Sequence, residues 1–212
     1  MGDATALGPD ERVEDRPFTD PEHTVREAGV MQVMLGRERD RAKAWATEDP
    51  SGTGHVAREH DEQGFRHLFV VTDTRALLET TDLTAVGFFG RPRDDVGHEI
   101  LFDLEQTLVD RMGTYGAAGL LSYYDVELVK GAYGNLVLFS TPDVPPEWHG
   151  DEIHRRAVEV SPQHYHEVRL HKGSIRGRLL DGGDIVIERT KYFDFAGGSL
   201  WQAVRHFGPD SA

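Results

Sequence analysis

The chain has 212 residues, enough for one domain or for one domain with an extension. Its 37 acidic residues against 23 basic ones leave a net charge of −14 at pH 7, which excludes a general binder of nucleic acid or anionic membranes. Cysteine is absent, so disulfides and thiol nucleophiles are excluded, and the acidic start MGDATALGPDERVEDRPF has no apolar stretch resembling a signal peptide. No apolar run is long enough to span a bilayer, so a soluble, cytoplasmic protein with a real core is expected.

Residues 1–66 read as an N-terminal tail and partly helical extension. Pro9, Pro17, Pro21, Pro50 and the stretch Ser51-Gly52-Thr53-Gly54 punctuate them, and the start reads as mobile. Within 22–48, Val25, Ala28, Met31, Met34 and Leu35 recur at three- and four-residue spacing, which predicts helix packed on the main domain. That domain is expected over 67–200, with a C-terminal tail at 201–212. It opens with a strand at 67–71 and a helical turn at 73–80, capped by Thr72 or Asp73. A strand at 83–91 stops at Pro92. Asp94 or Asp95 then caps a helix at 97–112, where Ile100, Leu104, Leu108 and Met112 make an apolar ladder and Gly113 ends it. Strands at 119–129 and 133–140 flank the short loop Lys130-Gly131-Ala132. A helix at 146–160 is stopped by Pro162, and strands at 164–172 and 179–194 close the domain.

This β-α-β-β-α-β order with an additional strand, over about residues 83–195, resembles the α+β ferredoxin-like sandwich. Two such sheets facing one another form the dimeric α/β barrel, so the resemblance implies a homodimer with a central cavity. It also implies the chemistries of that superfamily, which includes haem-degrading oxygenases, cofactor-independent monooxygenases, chlorite-dismutase-like haem proteins and aldoxime dehydratases.

Candidate chemistry concentrates late in the chain. His149, His154, His164, His166 and His171 fall close together, and imidazole ligates metal or haem iron or moves protons near neutral pH. His164 and His166, two apart on the expected strand, would project to one face as two ligands of a divalent metal. Tyr165, Glu167, Arg169 and His171 are expected on one strand face, opposite Val168 and Leu170. With Lys172, Arg176 and Arg178, this cationic segment suits an anionic ligand such as a carboxylate or a haem propionate. Tyr123, Asp125 and Glu127 alternate with Tyr124, Val126 and Leu128, so Asp125 or Glu127 could serve acid–base work with His171 if the two strands converge. Trp148 could wall a ligand site, with His149 beside it as an axial ligand. His149 and His154 lie about 140° apart around a helix, so only one of them could reach a given metal. His98 and Glu105 share a helix face, expected to be the exposed one. Dinucleotide and phosphate-loop signatures, His-Glu-x-x-His and Gly-x-Ser-x-Gly are all missing.

Three functional readings result. The first is a ligand-binding dimeric barrel for a small anionic or aromatic molecule, in its sharpest form an oxidoreductase, haem-dependent or cofactor-free. There His171, Arg169, Asp125 and Tyr123 would be catalytic, and His166, His149, Arg176 and Trp148 would hold the cofactor. The second is a cupin-like metal protein using His164 and His166. The third is a non-catalytic interaction or assembly protein.

Overall fold

A computed structural model describes residues 4–49, 52, 54–129, 132–196 and 200–208. In chain order these form β1 (Thr5–Leu7), α1 (Pro21–Glu48), β2 (His55–His60), β3 (Arg66–Val71), α2 (Thr74–Glu79), β4 (Thr81–Pro92), α3 (Glu99–Arg111), β5 (Leu120–Glu127), β6 (Tyr133–Phe139), α4 (Pro146–Gly150), α5 (Glu152–His164), β7 (Tyr165–Arg178), β8 (Ile185–Asp194) and β9 (Trp201–His206). The class is α+β. One open, mixed sheet runs β1-β9-β8-β7-β4-β6-β5-β3-β2, and every neighbouring pair is antiparallel except β1 with β9.

Both faces of the sheet are covered, for reasons visible in the strands. On one face Met31, Met34, Leu35, Ala42 and Trp45 of α1, with Leu77 of α2, pack on Phe69, Leu83, Ala85, Phe89, Leu136 and Leu138. Gly87 permits this contact, because a Cβ there would meet Met31 Sδ at 2.6 Å. On the other face Leu108 and Val109 of α3, Met112 just after it and Trp148 of α4 pack on Leu68, Val70, Tyr123, Val137 and Phe139. Each fully buried Met or Leu contributes about 1.5–3 kcal/mol relative to exposure. The two-residue alternation of β3, β5 and β6 thus feeds two cores. Among the described residues no helix is long and apolar enough to cross a membrane.

Several expectations change. Residues 5–7 are not a loose tail: β1 pairs with β9, and Phe18 and Leu7 pack with Tyr192 and Ala203. A boundary at residue 66 would sever β2 from β3 and α1 from its core, and a tail from 201 would remove β9 from the sheet. His98, without a side-chain cap, starts α3 in place of Asp94 or Asp95. After Met112 the chain continues as a 3-10 turn, and Gly119, at φ 105°, ends it where an L side chain would be strained. Residues 130 and 131 of the expected hairpin loop lie outside the described residues.

The expected helix at 146–160 breaks at Asp151, whose carboxylate accepts from Ile153 N and His154 N and so starts α5. Pro162 lies inside α5 rather than ending it. It sits in the last turn, where few backbone bonds remain to be lost, and Ser161 Oγ donates to Ala157 O nearby. The sheet does not close into a barrel. The face that a dimeric barrel would give to a partner sheet is covered by α1 of the same chain.

Candidate functional site

The Arg169–His171 face of β7 points away from α3 and α5, as its alternation suggests, but no cavity awaits it there. Glu27 of α1 reaches down onto it. Arg169 Nε donates to both Glu27 carboxylate oxygens at 2.9 Å, and Nη2 donates to Oε1 at 2.6 Å. His171 Nε2 donates to Glu27 Oε2 at 2.8 Å, while Thr190 Oγ1 lies 2.8 Å from Nδ1. His171 is 0 % exposed and Arg169 is 7 %. Burial alone would raise the Glu27 pKa, but the hydrogen bonds and charges of His171 and Arg169 outweigh it and hold the carboxyl below its usual range. This group is a clasp between helix and sheet.

The remaining candidates from the cationic and histidine-rich segment disperse. His164 ends α5 instead of starting the strand, so it does not share a strand face with His166. Its ring lies 5.7 Å from that of His98, and burial lowers its pKa first, with the His98 charge adding to the effect. His166 is half-buried, and Arg176 and His149 are exposed. Trp148 is a core residue against Tyr115 and Phe139. The His154 ring lies tilted against Trp148, 5.0 Å between centroids, and burial, then His149, push its pKa down to about 4. Tyr165 does not join Glu167, Arg169 and His171. A register shift between Arg91 and Pro92 turns it to the α3 side, where it meets Phe88, and Gly90 leaves it room. Among the described residues no three His, Asp or Glu side chains gather to hold a metal ion.

What does assemble is an acid pair beneath α3, on the opposite side of the sheet from His171. Asp125 of β5 therefore cannot work with His171. Its partner is Arg66 of β3, whose Nη2 donates to Asp125 Oδ2 at 2.8 Å and whose Nη1 donates to Glu105 Oε2 at 2.8 Å. Tyr123 Oη donates to Glu105 Oε1 at 3.4 Å. Phe102 of α3 and Tyr133 of β6 meet edge-to-face at 5.8 Å, and the Arg66 guanidinium carbon lies 5.5 Å and 5.9 Å from their ring centres. These three form a rim open to solvent, since Phe102 is exposed and Tyr133 half-buried.

Electrostatics separate the pair. Burial, then the adjacent Glu105 charge, raise the Asp125 pKa well above the carboxylate range, and Arg66 opposes this only in part. Both effects favour the protonated form of Asp125, with Glu105 beside it. Burial first, then Asp125 and Glu105, push the Tyr123 hydroxyl upward as well. Tyr165 is raised in the same way, by burial and then Asp125. The arrangement is a proton donor beside a carboxylate, steered by one guanidinium and framed by aromatic rings.

The sequence pointed to Asp125, Tyr123 and the polar face that carries Tyr133, placed Tyr165 with Arg169, set Glu105 on an exposed helix side, and missed Arg66. Glu105 is not on an exposed helix side. It follows Leu104 and stands three and four residues before Leu108 and Val109, the spacing that turns it to the sheet.

No family model, no curated protein and no solved structure matches this chain.

Proposed function

We propose that the chain is a small-ligand-binding protein on a ferredoxin-like unit, with Asp125 as the proton donor to a ligand seated at the Phe102–Tyr133–Arg66 rim. The fold half of this reading is supported by the order β7-β4-β6-β5, all antiparallel, with α3 joining β4 to β5 and with α4 and α5 joining β6 to β7. The functional half rests on one arrangement: a buried carboxyl whose pKa is pushed up by burial and then by a neighbouring carboxylate, next to an aromatic rim. Among the described residues, Glu105 and Glu127 outnumber the single Arg66 cation around this site, which disfavours an anion. A neutral aromatic molecule with a carbonyl oxygen suits it, its ring against Phe102 and Tyr133 and its oxygen accepting from Asp125.

Of the residues suggested for haem, His171, Arg169 and Trp148 are already committed to the fold. Both His171 nitrogens are engaged and the ring is sealed, while Arg169 is already clasped by Glu27. Trp148 is packed in the core.

Saturation-transfer NMR with acetophenone and with benzoate tests the reading. Acetophenone should receive saturation from the wild type, benzoate should not, and Phe102→Ala should remove the effect while the fold survives, because Phe102 is 41 % exposed. Equal transfer to both probes, or transfer that survives Phe102→Ala, would sink it.

A further inference from the structure

Helix α1 carries a second buried glutamate that has no clasp. Glu38 is 2 % exposed, and neither of its carboxylate oxygens has a hydrogen-bond partner; Ser122 Oγ, which it faces on β5, has none either. Its surroundings offer little to a negative charge. On α1 itself, Arg39 is engaged by the carbonyls of Leu179 and Gly183, and Arg37 donates to His67 Nε2 at 3.1 Å. From the sheet come Ser122 and Tyr124 of β5 and, around the Tyr124 hydroxyl, His67 of β3 at 2.7 Å and Glu59 of β2. Asp61, between β2 and β3, lies 3.3 Å from His67 Nε2. An ionised Glu38 would therefore be a buried charge touching no cation, which is costly, whereas a neutral carboxyl facing a hydroxyl is tolerable.

The two glutamates divide the helix. Glu27 docks the N-terminal half as an ion, gripped by Arg169 and His171. Glu38 docks the C-terminal half beside Met34, Ala42 and Trp45. Gly36 lies between them. A mid-helix glycine weakens the helix at that point, and here it fills no packing need, since a Cβ would meet nothing within 4 Å.

We propose that α1 is a pH-sensitive cover whose C-terminal half, residues 37–48, stays down on the sheet while Glu38 holds a proton and lifts when it loses it. The Glu27 end stays in place. Burial raises the Glu38 pKa to about 7, with Ser122 and Arg39 opposing only in part. The sign follows from proton linkage. The docked state binds the proton more tightly than the undocked one, so docking weakens as pH rises from the ordinary carboxylate range to about 7 and levels off above it. The opening constant of this segment should grow by about tenfold per pH unit across that window, roughly 300-fold in all.

Hydrogen exchange followed by mass spectrometry, with intrinsic rates divided out, reads this directly on the full chain from pH 5 to 8. In the wild type, peptides from 37–48 should open along that slope, while peptides from 21–30 and from β4 and β6 should not. Glu38→Gln, which mimics the protonated acid, should flatten the profile of 37–48, and Glu38→Leu should do the same if the glutamine variant does not fold. A flat wild-type profile, an unchanged slope in either variant, or the same slope in β4 and β6 would each overturn the device, the last by making it a property of global unfolding.

Discussion

Glu27 under α1 and Asp125 under α3 are buried on opposite faces of the sheet and are held in opposite ways. On the α1 face Glu27 meets a guanidinium along three hydrogen-bond contacts and an imidazole at 2.8 Å, so one acid faces two basic groups and stays ionised. On the α3 face Asp125 and Glu105 divide one guanidinium between them, so two acids face one base and the pKa of the buried Asp125 is raised. Burial acts on both sites in the same direction. The difference lies in how many cations stand within reach, and it turns one site into a structural clasp and leaves the other with a proton to give.

Breaking the clasp should have the largest effect. Glu27→Leu leaves Arg169 and His171 buried without their acid, and a loss of about 3–5 kcal/mol is expected in denaturant unfolding. The double variant Glu27→Leu, Arg169→Met removes the charge pair whole and should recover much of that loss. If it does not, the stability lost with Glu27 is a packing effect and the contrast between the faces fails. The clasp also sets an acid limit. Because the Glu27 pKa is lowered on folding, its contribution is present above about 4.5 and drains away as pH falls through the folded value.

The α3 face should respond to pH with the opposite sign. A raised Asp125 pKa means that the folded state binds the proton more tightly, so this group favours folding at low pH and loses that contribution as pH rises from about 4 upward. The slope approaches about 1.4 kcal/mol per pH unit for a single fully buried group. Asp125→Asn, close in shape to the protonated acid, should remove that slope and change stability at pH 5 by less than about 1 kcal/mol. Urea midpoints at pH 5 and pH 8 for both proteins decide it. An unchanged pH dependence in Asp125→Asn would mean that Asp125 is ionised in the fold, and the two faces would then be alike.

Local pattern made much of the central sheet legible. The β formers of 83–91, alternation in 119–129 and 133–140 and the ladder Leu104, Leu108, Met112 suffice for strands and helix in the right order, because each pattern is contained in its own segment. Contacts across long separations were not contained there. Glu27 and Arg169 lie 142 residues apart, so a glutamate in a polar N-terminal region reads as solvated. A signal was nevertheless present: Glu27, Met31, Met34 and Glu38 stand at i, i+4, i+7 and i+11, one helical face, which places both acids in the apolar stripe. The metal pair His164 and His166 failed for a local reason, since the last turn of α5 runs past Pro162 and takes His164 out of the strand. Arg66 and Glu105 lie 39 residues apart, and only the tertiary fold brings them to Asp125.

Glu167 offers the finest contrast, because it touches arginines in both environments. Arg91 Nη2 donates to its Oε2 at 3.0 Å from a side chain 55 % exposed, whereas the buried Arg169 reaches its Oε1 only at 3.5 Å. Distance alone ranks the Arg91 pair first. Solvent reverses the order: an exposed pair exchanges water contacts for little gain, while a buried guanidinium keeps its worth through every acceptor that replaces water. Arg91→Ala should therefore shift stability by less than about 0.5 kcal/mol and should flatten further in high salt. A loss above about 1 kcal/mol would show that Arg91 fixes Glu167 for Arg169, extending the clasp from the core to the surface of the sheet.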